Sequence, residues 1–415
     1  MKVLLALPLV AVCLSACDRS TEPFTADGPP LGPYRGVLQV AGGDLPFGLE
    51  LARENGAIVA YLINGPEHAR APDVRLDGNE LTMQMPGYPH RLEARFVDAR
   101  FEGSVEFLRP RGVIKSVRFI AMPGQSYRFF PKPGADPQDF SGRWALTFSD
   151  DEGRQRSAIA ELSQRGHEVT GTVLRPTGDD RYIAGEVRDD TLFLSRFDGG
   201  SAYLYLGRLG ADGTLSGDFH TSSGFHETWS GRRDPDARLD DPARMTGLKP
   251  GVESLEFSFP DLEEGGLVSY PGERFAGKVV LVTIGGSWCP NCHDEAVFLR
   301  GLLAGRRGQG LEVIQLMFEY TPDFASASQA ARAFAQKFEI DYPVLIAGTT
   351  TDDDVLKKLP QLVALNAYPT LFIIDRKGKV RATHTGFSGP ATGNHYEQQN
   401  RELTALVDSL LSERS

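Results

Sequence analysis

Cys289 and Cys292 are the residues whose type and spacing most directly suggest chemistry in this sequence. They lie in the stretch SWCPNCHDE, residues 287–295, and are two of four cysteines in 415 residues. Two residues between cysteines suit half of a zinc site, a small covalent staple, or a pair of thiols that exchanges electrons. The rest of the chain has to decide among these three interpretations.

The N-terminal segment contains the other two cysteines and resembles a bacterial lipoprotein signal. One lysine precedes an apolar run from Val3 to Val12, which is too short to span a membrane and is typical of a secretory signal. The segment ends in LSAC, which resembles a lipobox. That resemblance implies cleavage of a signal peptide at residues 1–16 and acylation of Cys17, so that lipid chains would anchor the protein to a bilayer. The alternative is an ordinary cleaved signal.

Composition and the residues after Cys17 bear on location and partners. Asp18 resembles the signal that keeps such lipoproteins in the inner membrane, so we expect the periplasmic side of that membrane, with the outer membrane as the alternative. Residues 17–33 are polar and proline-rich, which predicts a lipidated tether. The formal net charge of −11 argues against nucleic acid as a partner, because phosphate binding needs a dense basic surface.

The mature protein would keep only Cys289 and Cys292 as thiols, because Cys13 leaves with the signal and Cys17 carries lipid. A structural zinc site usually needs four ligands, and no second cysteine pair or finger-like histidine spacing completes one. We therefore predict no metal site. A lone pair in an exported protein closes a loop too small to staple a fold, so redox chemistry is the favoured interpretation.

His220 and His226 flank the short turn TSSGF, and we expect them to face each other across a hairpin. Two histidines alone are more typical of a protein surface than of a metal site. The two histidines therefore do not change the prediction that the protein has no metal site.

Two proline-rich segments, residues 130–138 and 234–250, divide the chain. Before and between them, short alternating runs separated by Gly, Asn and Asp predict two all-β units, each a barrel or a sandwich. The two units align loosely with each other at an offset of about 110 residues, which favours a duplication. The predicted organisation is a signal peptide at 1–16, a tether at 17–33, β-domains at 34–130 and 139–233, a linker at 234–250 and a further domain at 251–415.

The last part of the chain alternates buried strands with helices. VVLVTI, residues 279–284, is a continuous apolar run typical of a strand covered on both faces, and LEVIQLMF, residues 311–318, is a second one. A helical pattern follows each of these runs. This alternation predicts an α/β domain with a mixed sheet.

The order of motifs from Leu255 to Leu411 resembles the thioredoxin superfamily. VVLVTIGGSWCPNC is similar to the strand and active-site turn of that superfamily. FPDLEEGGLVSYPGERFAGK before it and AYPTLFIIDRKGKV after it resemble the TlpA-like (ResA-like) thiol-disulfide oxidoreductases of the bacterial envelope. The resemblance implies a thioredoxin-like fold for this part of the chain, and nothing in the two β-units contributes to it.

Cys289 is expected to be the nucleophile of this site. It would lie at a helix N-terminus, where unpaired backbone N–H groups and the helix dipole favour a thiolate. Pro290 would be the first helical residue, where its missing N–H costs nothing. Cys292, one turn further along, would close a disulfide with Cys289 and act as the resolving thiol. This exchange requires no cofactor.

Three more residues are expected beside the dithiol because of the resemblance. Tyr368 and Pro369 precede the strand TLFIID, where thioredoxin folds carry a cis-proline against the disulfide. That geometry would leave the Tyr368 backbone free to pair with an incoming peptide. Trp288 is expected to pack beside the site.

The sequence departs from thioredoxin at Thr283, which stands where thioredoxin has a buried aspartate. The proton acceptor for Cys292 must then lie elsewhere. Glu319, at the end of LEVIQLMF, is close to where TlpA-like reductases place a glutamate, with an ordinary exposed strand-end acid as the alternative. Asp294 and Glu295 are expected in the first turn of the helix, where they would complement its dipole and raise the pKa of the nucleophilic thiol.

The leading hypothesis is a lipid-anchored envelope thiol-disulfide oxidoreductase that reduces protein disulfides. The resemblance implies envelope substrates such as apocytochrome or metallochaperone thiols, and a membrane thiol-electron carrier as the reductant. The alternative is a ligand- or partner-binding lipoprotein whose β-units carry the main function, while the thioredoxin-like domain docks or senses redox state. A peroxidase is disfavoured, because peroxiredoxins that resemble this sheet need a threonine where Gly286 stands.

Overall fold

The computed structural model of the protein describes residues 28–239, 246–262 and 266–413. The predicted signal peptide, Cys17, Asp18 and most of the predicted tether lie outside these residues. Within the described ranges, no helix is long and apolar enough to cross a membrane. Three regions follow one another along the chain: a nine-stranded sheet, a barrel and an α/β domain.

The first β-unit is one antiparallel sheet of nine strands that curls into a half-barrel. Its strands alternate buried and exposed residues, as in RLEARFV at 91–97, because one face packs on the core. Asn55 and Gly56 both have positive φ angles at a two-residue turn, a conformation that these residue types adopt most easily. The strands are β1 (Gly32–Val40), β2 (Gly43–Glu54), β3 (Ala57–Asn64), β4 (Glu67–Arg70), β5 (Val74–Asp77), β6 (Glu80–Gln84), β7 (Arg91–Val97), β8 (Arg100–Arg109) and β9 (Val113–Pro123).

The second β-unit is a closed antiparallel barrel of eight strands with one short additional strand. Pairing of β10 with β18 and of β11 with β12 closes the barrel. Its interior is filled by large aromatic side chains, among them Trp144, Phe148 and Trp229. The strands are β10 (Gly142–Ser149), β11 (Gln155–Arg165), β12 (Glu168–Arg175), the short β13 (Gly178–Asp179), β14 (Ile183–Arg188), β15 (Thr191–Phe197), β16 (Ala202–Leu209), β17 (Leu215–Thr221) and β18 (His226–Arg233).

The two β-units pack against each other through the hydrophobic core of the half-barrel, which several barrel residues join. Phe197 and Leu204 of the barrel pack among the buried side chains of the half-barrel, and the rings of Phe47 and Phe197 are 4.9 Å apart. Asn64 donates to the Phe197 carbonyl at 2.9 Å and accepts from its N–H at 3.0 Å, as a neighbouring strand would. In both units the first strand pairs with the second and the last, which is the connectivity that a duplication would give.

The C-terminal domain has the thioredoxin-like α/β fold that the sequence predicts. Its five-stranded sheet has the order β24-β23-β22-β26-β27, in which β22, β23 and β24 are parallel. Val279 and Leu281 face α1 and α4, while Val280 and Val282 face the opposite core. The elements are β19 (Gly247–Leu248), β20 (Phe257–Pro260), β21 (Leu267–Tyr270), β22 (Val279–Gly285), α1 (Pro290–Ala304), β23 (Leu311–Glu319), α2 (Phe324–Lys337), β24 (Val344–Thr349), α3 (Asp352–Lys358), β25 (Leu362–Ala364), β26 (Thr370–Ile374), β27 (Val380–Thr385) and α4 (Asn394–Ser412).

Candidate active site

Cys289 ends the turn between β22 and α1 and caps the helix. It has extended angles (φ −94°, ψ 113°), and its Sγ accepts a hydrogen bond from the backbone N–H of Cys292 at 3.2 Å. Pro290 is the first helical residue, as predicted from the sequence. The free N–H groups and the positive end of the α1 dipole therefore lie next to the Cys289 sulfur, where they would stabilise a thiolate.

Cys289 and Cys292 form a disulfide bond, with their Cα atoms 5.2 Å apart. Both are nearly buried, with exposed fractions of 3% and 2%. The Cys292 sulfur lies against β22, because a Cβ placed on Gly285 would be 3.2 Å from it. The structure thus describes the oxidised form of the pair, in which the segments around Cys289 leave little of it open to solvent.

Glu295 is a buried carboxylic acid on the same side of β22 as Cys292. Its Oε2 accepts a hydrogen bond from Thr283 Oγ1 at 2.5 Å. Thr283 and Gly285 are two residues apart on β22, so they face the same side of the sheet as the Cys292 sulfur. Burial raises the pKa of Glu295 to about 8, and its Oε1 has no hydrogen-bond partner among the described residues. Glu295 is therefore a buried acid of raised pKa on the side of β22 that the Cys292 sulfur also faces.

The predicted placement of Asp294 and Glu295 in the first helical turn is wrong. The helix begins at Pro290, so its first turn contains no acidic residue and both acids fall in the second turn. Asp294 is buried and forms an ion pair with Arg181 at 3.2 Å. Burial raises the pKa of Asp294 to about 7, although the Arg181 charge opposes this shift. Neither acid faces solvent at the N-terminus, so neither complements the helix dipole there.

Glu319 holds the turn that precedes Cys289. Its Oε1 accepts from the backbone N–H of Ser287 and its Oε2 accepts from Ser287 Oγ, each at 2.8 Å. Burial raises the pKa of Glu319 to about 7, while the two hydrogen bonds oppose the shift. These contacts fix the turn from the end of β23. A role of Glu319 as proton acceptor for Cys292 stays a prediction.

Aromatic side chains surround the same turn. Trp288 donates from Nε1 to the Phe318 carbonyl at 2.9 Å, stacks on Tyr320 with ring centroids 4.7 Å apart, and meets the edge of Tyr368 at 5.1 Å. The Tyr368–Pro369 peptide bond is cis, as the resemblance implied. Trp288, Tyr320 and Tyr368 thus form an aromatic wall beside the turn that ends at Cys289.

The barrel contacts both residues that separate the two cysteines, which the sequence did not predict. Asn291 Nδ2 donates to the backbone carbonyl of Asp179 at 3.2 Å and to its Oδ1 at 3.0 Å. Arg181 donates from Nη1 to the Pro290 carbonyl at 3.1 Å. Residues 176–181, which follow β12 and include the short β13, therefore lie directly on the active-site turn. We call this segment the cap loop.

Arg181 links the cap loop to the other parts of the chain. Its guanidinium contacts Glu67 of the half-barrel at 2.6 Å and Asp294 of α1 at 3.2 Å, and its side chain is 14% exposed. The half-barrel also reaches α1 directly, because the Tyr88 and His293 rings stack with centroids 4.3 Å apart. Both β-units are thus bound to the helix that carries the dithiol.

A cavity of about 700 Å³ lies between the barrel and the active-site turn. This volume is in the range of pockets that hold small ligands or short peptide segments. On one side the wall of the cavity consists of aromatic and charged side chains of the barrel. On the other side it is formed by the active-site turn and neighbouring residues of the α/β domain. The lining includes Pro290, Asn291, Asn366 and Tyr368 of the α/β domain and Arg156, Arg175, Asp180, Tyr203, Phe219, Phe225 and Glu227 of the barrel.

A disulfide that caps a helix at the edge of such a mixed sheet is the arrangement of thioredoxin-like thiol-disulfide oxidoreductases, and the C-terminal domain is of that class. Residues 249–399 match the family model described as Redoxin. The match covers most of the α/β domain, ends within α4, and leaves both β-units outside it.

Curated relatives resemble the same part of the chain. The thiol-disulfide oxidoreductase ResA of Geobacillus thermodenitrificans is 27% identical over 143 residues, which are 34% of this chain and 72% of that protein. The thiol:disulfide interchange protein DsbE of Vibrio cholerae is 27% identical over 147 residues, 35% of this chain and 71% of that protein. The thioredoxin-like protein YneN of Bacillus subtilis is 26% identical over 153 residues, which are 34% of this chain and 75% of that protein.

Solved structures also match this region. A thioredoxin-family thiol:disulfide interchange protein of Chlorobium tepidum matches with a TM-score of 0.29 and 17% identity, covering 40% of this chain and 100% of that chain. A thiol-disulfide oxidoreductase of Bacteroides fragilis matches with a TM-score of 0.27 and 18% identity, covering 36% of this chain and 99% of that chain.

Proposed function

We propose that the protein is an envelope thiol-disulfide oxidoreductase that reduces protein disulfides through Cys289 and Cys292. One observation carries the proposal: the two cysteines are bonded to each other at the N-terminus of α1, with the buried acid Glu295 behind them. The names of the curated relatives, a thiol-disulfide oxidoreductase and a thiol:disulfide interchange protein, support the same class.

In the first step the Cys289 thiolate attacks one sulfur of a substrate disulfide. A new S–S bond joins Cys289 to the substrate, and the other substrate sulfur leaves as a thiolate that takes up a proton. The N-terminus of α1 stabilises the attacking thiolate before the reaction. We place the substrate segment along the backbone of Tyr368, next to the cis-Pro369 bond, in the manner of an added strand.

In the second step Cys292 attacks the Cys289 sulfur and releases the second substrate thiol. Two electrons have then passed from the dithiol to the substrate, and the protein is left with the Cys289–Cys292 disulfide. Cys292 has to lose a proton, and Glu295 is our candidate acceptor. Because burial raises the pKa of Glu295 to about 8, this acid changes its protonation state close to neutral pH, as an efficient proton carrier must.

The dithiol must be regenerated by an external reductant, and we propose a membrane thiol-electron carrier. The lipobox-like segment supports anchoring through an acylated Cys17, with residues 17–33 as a tether, and Asp18 favours the inner membrane. We propose β-domains at 34–130 and 139–233, joined by the linker 234–250 to the redox domain at 251–415. The strands extend slightly beyond these bounds, because β1 begins at Gly32 and β19, within the linker, pairs with β25 of the redox domain. In this arrangement the barrel supplies one wall of the substrate cavity.

Trapping of substrates tests the proposal. In a Cys292→Ala variant the second step cannot occur, so envelope proteins should accumulate on Cys289 as mixed disulfides that dithiothreitol releases. The double variant Cys289→Ala with Cys292→Ala is the matched control and should capture none. If the single variant captures no more protein than the double variant, the proposal is wrong.

The direction of electron flow needs a second measurement. A reductase predicts that the dithiol is largely reduced in growing cells, and that its reduction potential lies nearer about −270 mV than −120 mV. Alkylation of thiols in acid-quenched cells reads the first quantity, and equilibration with glutathione or dithiothreitol buffers reads the second. A dithiol that is fully oxidised in cells would instead indicate an oxidase.

A further inference from the structure

Two imidazoles and one carboxylate lie together on the outer face of the barrel hairpin formed by β17 and β18. Asp218 and His220 are two residues apart on β17, so their side chains share one face of the strand. His226 on β18 is the direct partner of His220 in the strand register. The rings of His220 and His226 stack with centroids 4.7 Å apart. The hairpin thus brings together the two histidines that flank the TSSGF turn and adds a carboxylate.

The donor atoms of this cluster are close enough to share one ion. One ligand atom from each of Asp218, His220 and His226 lies within 4.8 Å of the others. His226 Nε2 and Asp218 Oδ1 are already 2.9 Å apart. In a tetrahedral zinc site with bonds of about 2.0–2.1 Å, ligand atoms are about 3.3 Å apart. Side-chain movements on the order of an ångström would therefore bring the three ligand atoms to the spacing of a tetrahedral site.

His220 has a ring nitrogen that the protein leaves unused. Its Nδ1 is buried and has no hydrogen-bond partner among the described residues. A buried polar atom without a partner costs about 1–3 kcal/mol, and a metal ion would remove that cost.

The surroundings hold the cluster in place. The His220 ring lies against the backbone of Gly42 in the half-barrel, where a Cβ would be 2.1 Å from the ring. Asp151 Oδ1 is 3.7 Å from His226 Nδ1, on the side of the ring opposite the nitrogen that meets Asp218. A rotation of the exposed Asp151 side chain would bring this carboxylate within hydrogen-bond distance of His226 Nδ1, where it would orient the ring.

We propose that Asp218, His220 and His226 form a binding site for a divalent transition-metal ion of the Zn²⁺ type. Imidazole and carboxylate donors suit such an ion, and three protein ligands leave one position for water. The opposite face of the same hairpin carries Phe219 and Glu227, which line the cavity above the dithiol turn. A bound ion would therefore hold together the hairpin that forms one wall of the cavity, from the face of the hairpin that points away from the cavity.

Calorimetric titration with Zn²⁺ tests the site. The protein is used without an affinity tag, with the Cys289–Cys292 disulfide intact and any other thiol alkylated, so that no thiolate competes for the ion. We expect one Zn²⁺ per chain. Asp218→Asn and His226→Gln should each weaken binding at least about tenfold, because each removes one ligand. His68→Ala, which changes an exposed histidine on β4, is the matched control and should bind as the parent protein does.

Thermal unfolding gives an independent readout. Zn²⁺ should raise the Tm of the parent protein with increasing concentration, because the ion binds the folded state, and should not raise the Tm of His226→Gln. Asp218→Asn preserves the shape of the side chain, so the same Tm measurement can be made on this variant if His226→Gln fails to fold. Absence of saturable Zn²⁺ binding to the parent protein would overturn the proposal. So would binding that neither Asp218→Asn nor His226→Gln weakens.

Discussion

At the scale of single residues, Glu295 and Thr283 form a buried polar pair on the side of β22 that faces Cys292, the proposed resolving cysteine. Thioredoxin places an acid on the strand, whereas here the strand residue is Thr283 and the acid comes from the helix, three residues after Cys292. The Thr283 hydroxyl donates to Glu295, which leaves the second carboxyl oxygen of Glu295 unpaired among the described residues. The acid is thus carried by α1 and not by β22, and it lies on the side of β22 that faces this helix.

We expect Glu295→Gln to slow the release of mixed disulfides on the order of 10²-fold at pH 7, because the amide cannot accept the Cys292 proton. Stopped-flow measurement of substrate release, with insulin as a disulfide substrate, gives the rate. The rate of the parent protein should rise with pH and level off near about 8, the pKa of Glu295, whereas the rate of the variant should keep rising above that pH with the thiolate fraction of Cys292. Glu339→Gln, at an exposed acid, is the control and should keep both the rate and the profile.

The same acid makes folding stability depend on pH. Its pKa is about 8 in the folded protein against an ordinary value of 4.5, so between these values the folded state binds more protons than the unfolded state. The free energy of unfolding therefore falls as the pH rises through this interval. Glu295→Gln removes this contribution, and the decline in stability from pH 5 to pH 8, measured by urea unfolding of the oxidised protein, should become smaller. An equal decline in the variant would contradict the assignment.

At the scale of elements, the turn between β22 and α1 is fixed by the end of β23. Glu319 satisfies both the backbone N–H and the hydroxyl of Ser287, two residues before the nucleophile. Because β22 and β23 are parallel neighbours, the carboxyl end of β23 lies beside this turn. The acid is therefore first of all part of the scaffold that positions Cys289.

Glu319→Ala should destabilise the oxidised protein by about 1–3 kcal/mol, because the buried Ser287 N–H loses its acceptor. Ser287→Ala removes only the hydroxyl bond and should cost less, about 1 kcal/mol. Urea unfolding measures both. Glu397→Gln, at an exposed position of α4, is the control and should change stability by less than about 0.5 kcal/mol. A Glu319→Ala variant as stable as this control would show that the turn does not depend on Glu319.

At the scale of the whole molecule, the two β-units and the redox domain meet around Arg181. This side chain joins Glu67, Asp294 and the Pro290 carbonyl, and the cap loop that carries it lies on the residues between the cysteines. Cys289 is 3% exposed in this arrangement. We therefore expect the cap loop to move when a bulky protein disulfide reaches Cys289.

We expect Arg181→Ala to accelerate alkylation of Cys289 in the reduced protein by about tenfold, which corresponds to about 1.4 kcal/mol less free energy for opening of the cap loop. The variant leaves Asp294 and Glu67 without their partner, so stability should also fall by about 3–5 kcal/mol. Asp179→Ala removes the side-chain contact to Asn291 and the acceptor of the Gly389 and Arg181 backbone N–H groups, and it leaves no buried acid unpaired. It should also accelerate alkylation of Cys289.

Arg208→Ala is the matched control, because Arg208 is an exposed arginine of the barrel that pairs with Asp190. It should leave the alkylation rate unchanged. If Arg181→Ala and Asp179→Ala also react at the rate of the parent protein, the cap loop does not limit access to the dithiol.

The sequence by itself determined the redox domain and the dithiol. Buried strands such as VVLVTI, the helix start at Pro290, and the residues before TLFIID are local patterns whose meaning depends on neighbours a few positions away. The alternating runs likewise predicted the two β-units. Local backbone preference and hydrophobic periodicity specify such elements before any tertiary contact forms.

Only the tertiary structure decided which surfaces meet. The sequence indicated neither that the first sheet stays open and the second closes, nor that Arg181 of the barrel pairs with Asp294 of the redox domain. Asp218 likewise joined the two histidines only through the strand register. These contacts connect residues that are far apart in the chain or on different strands. Burial, ion pairing and register fix them through the packing of whole elements, and no local pattern in the sequence encodes that packing.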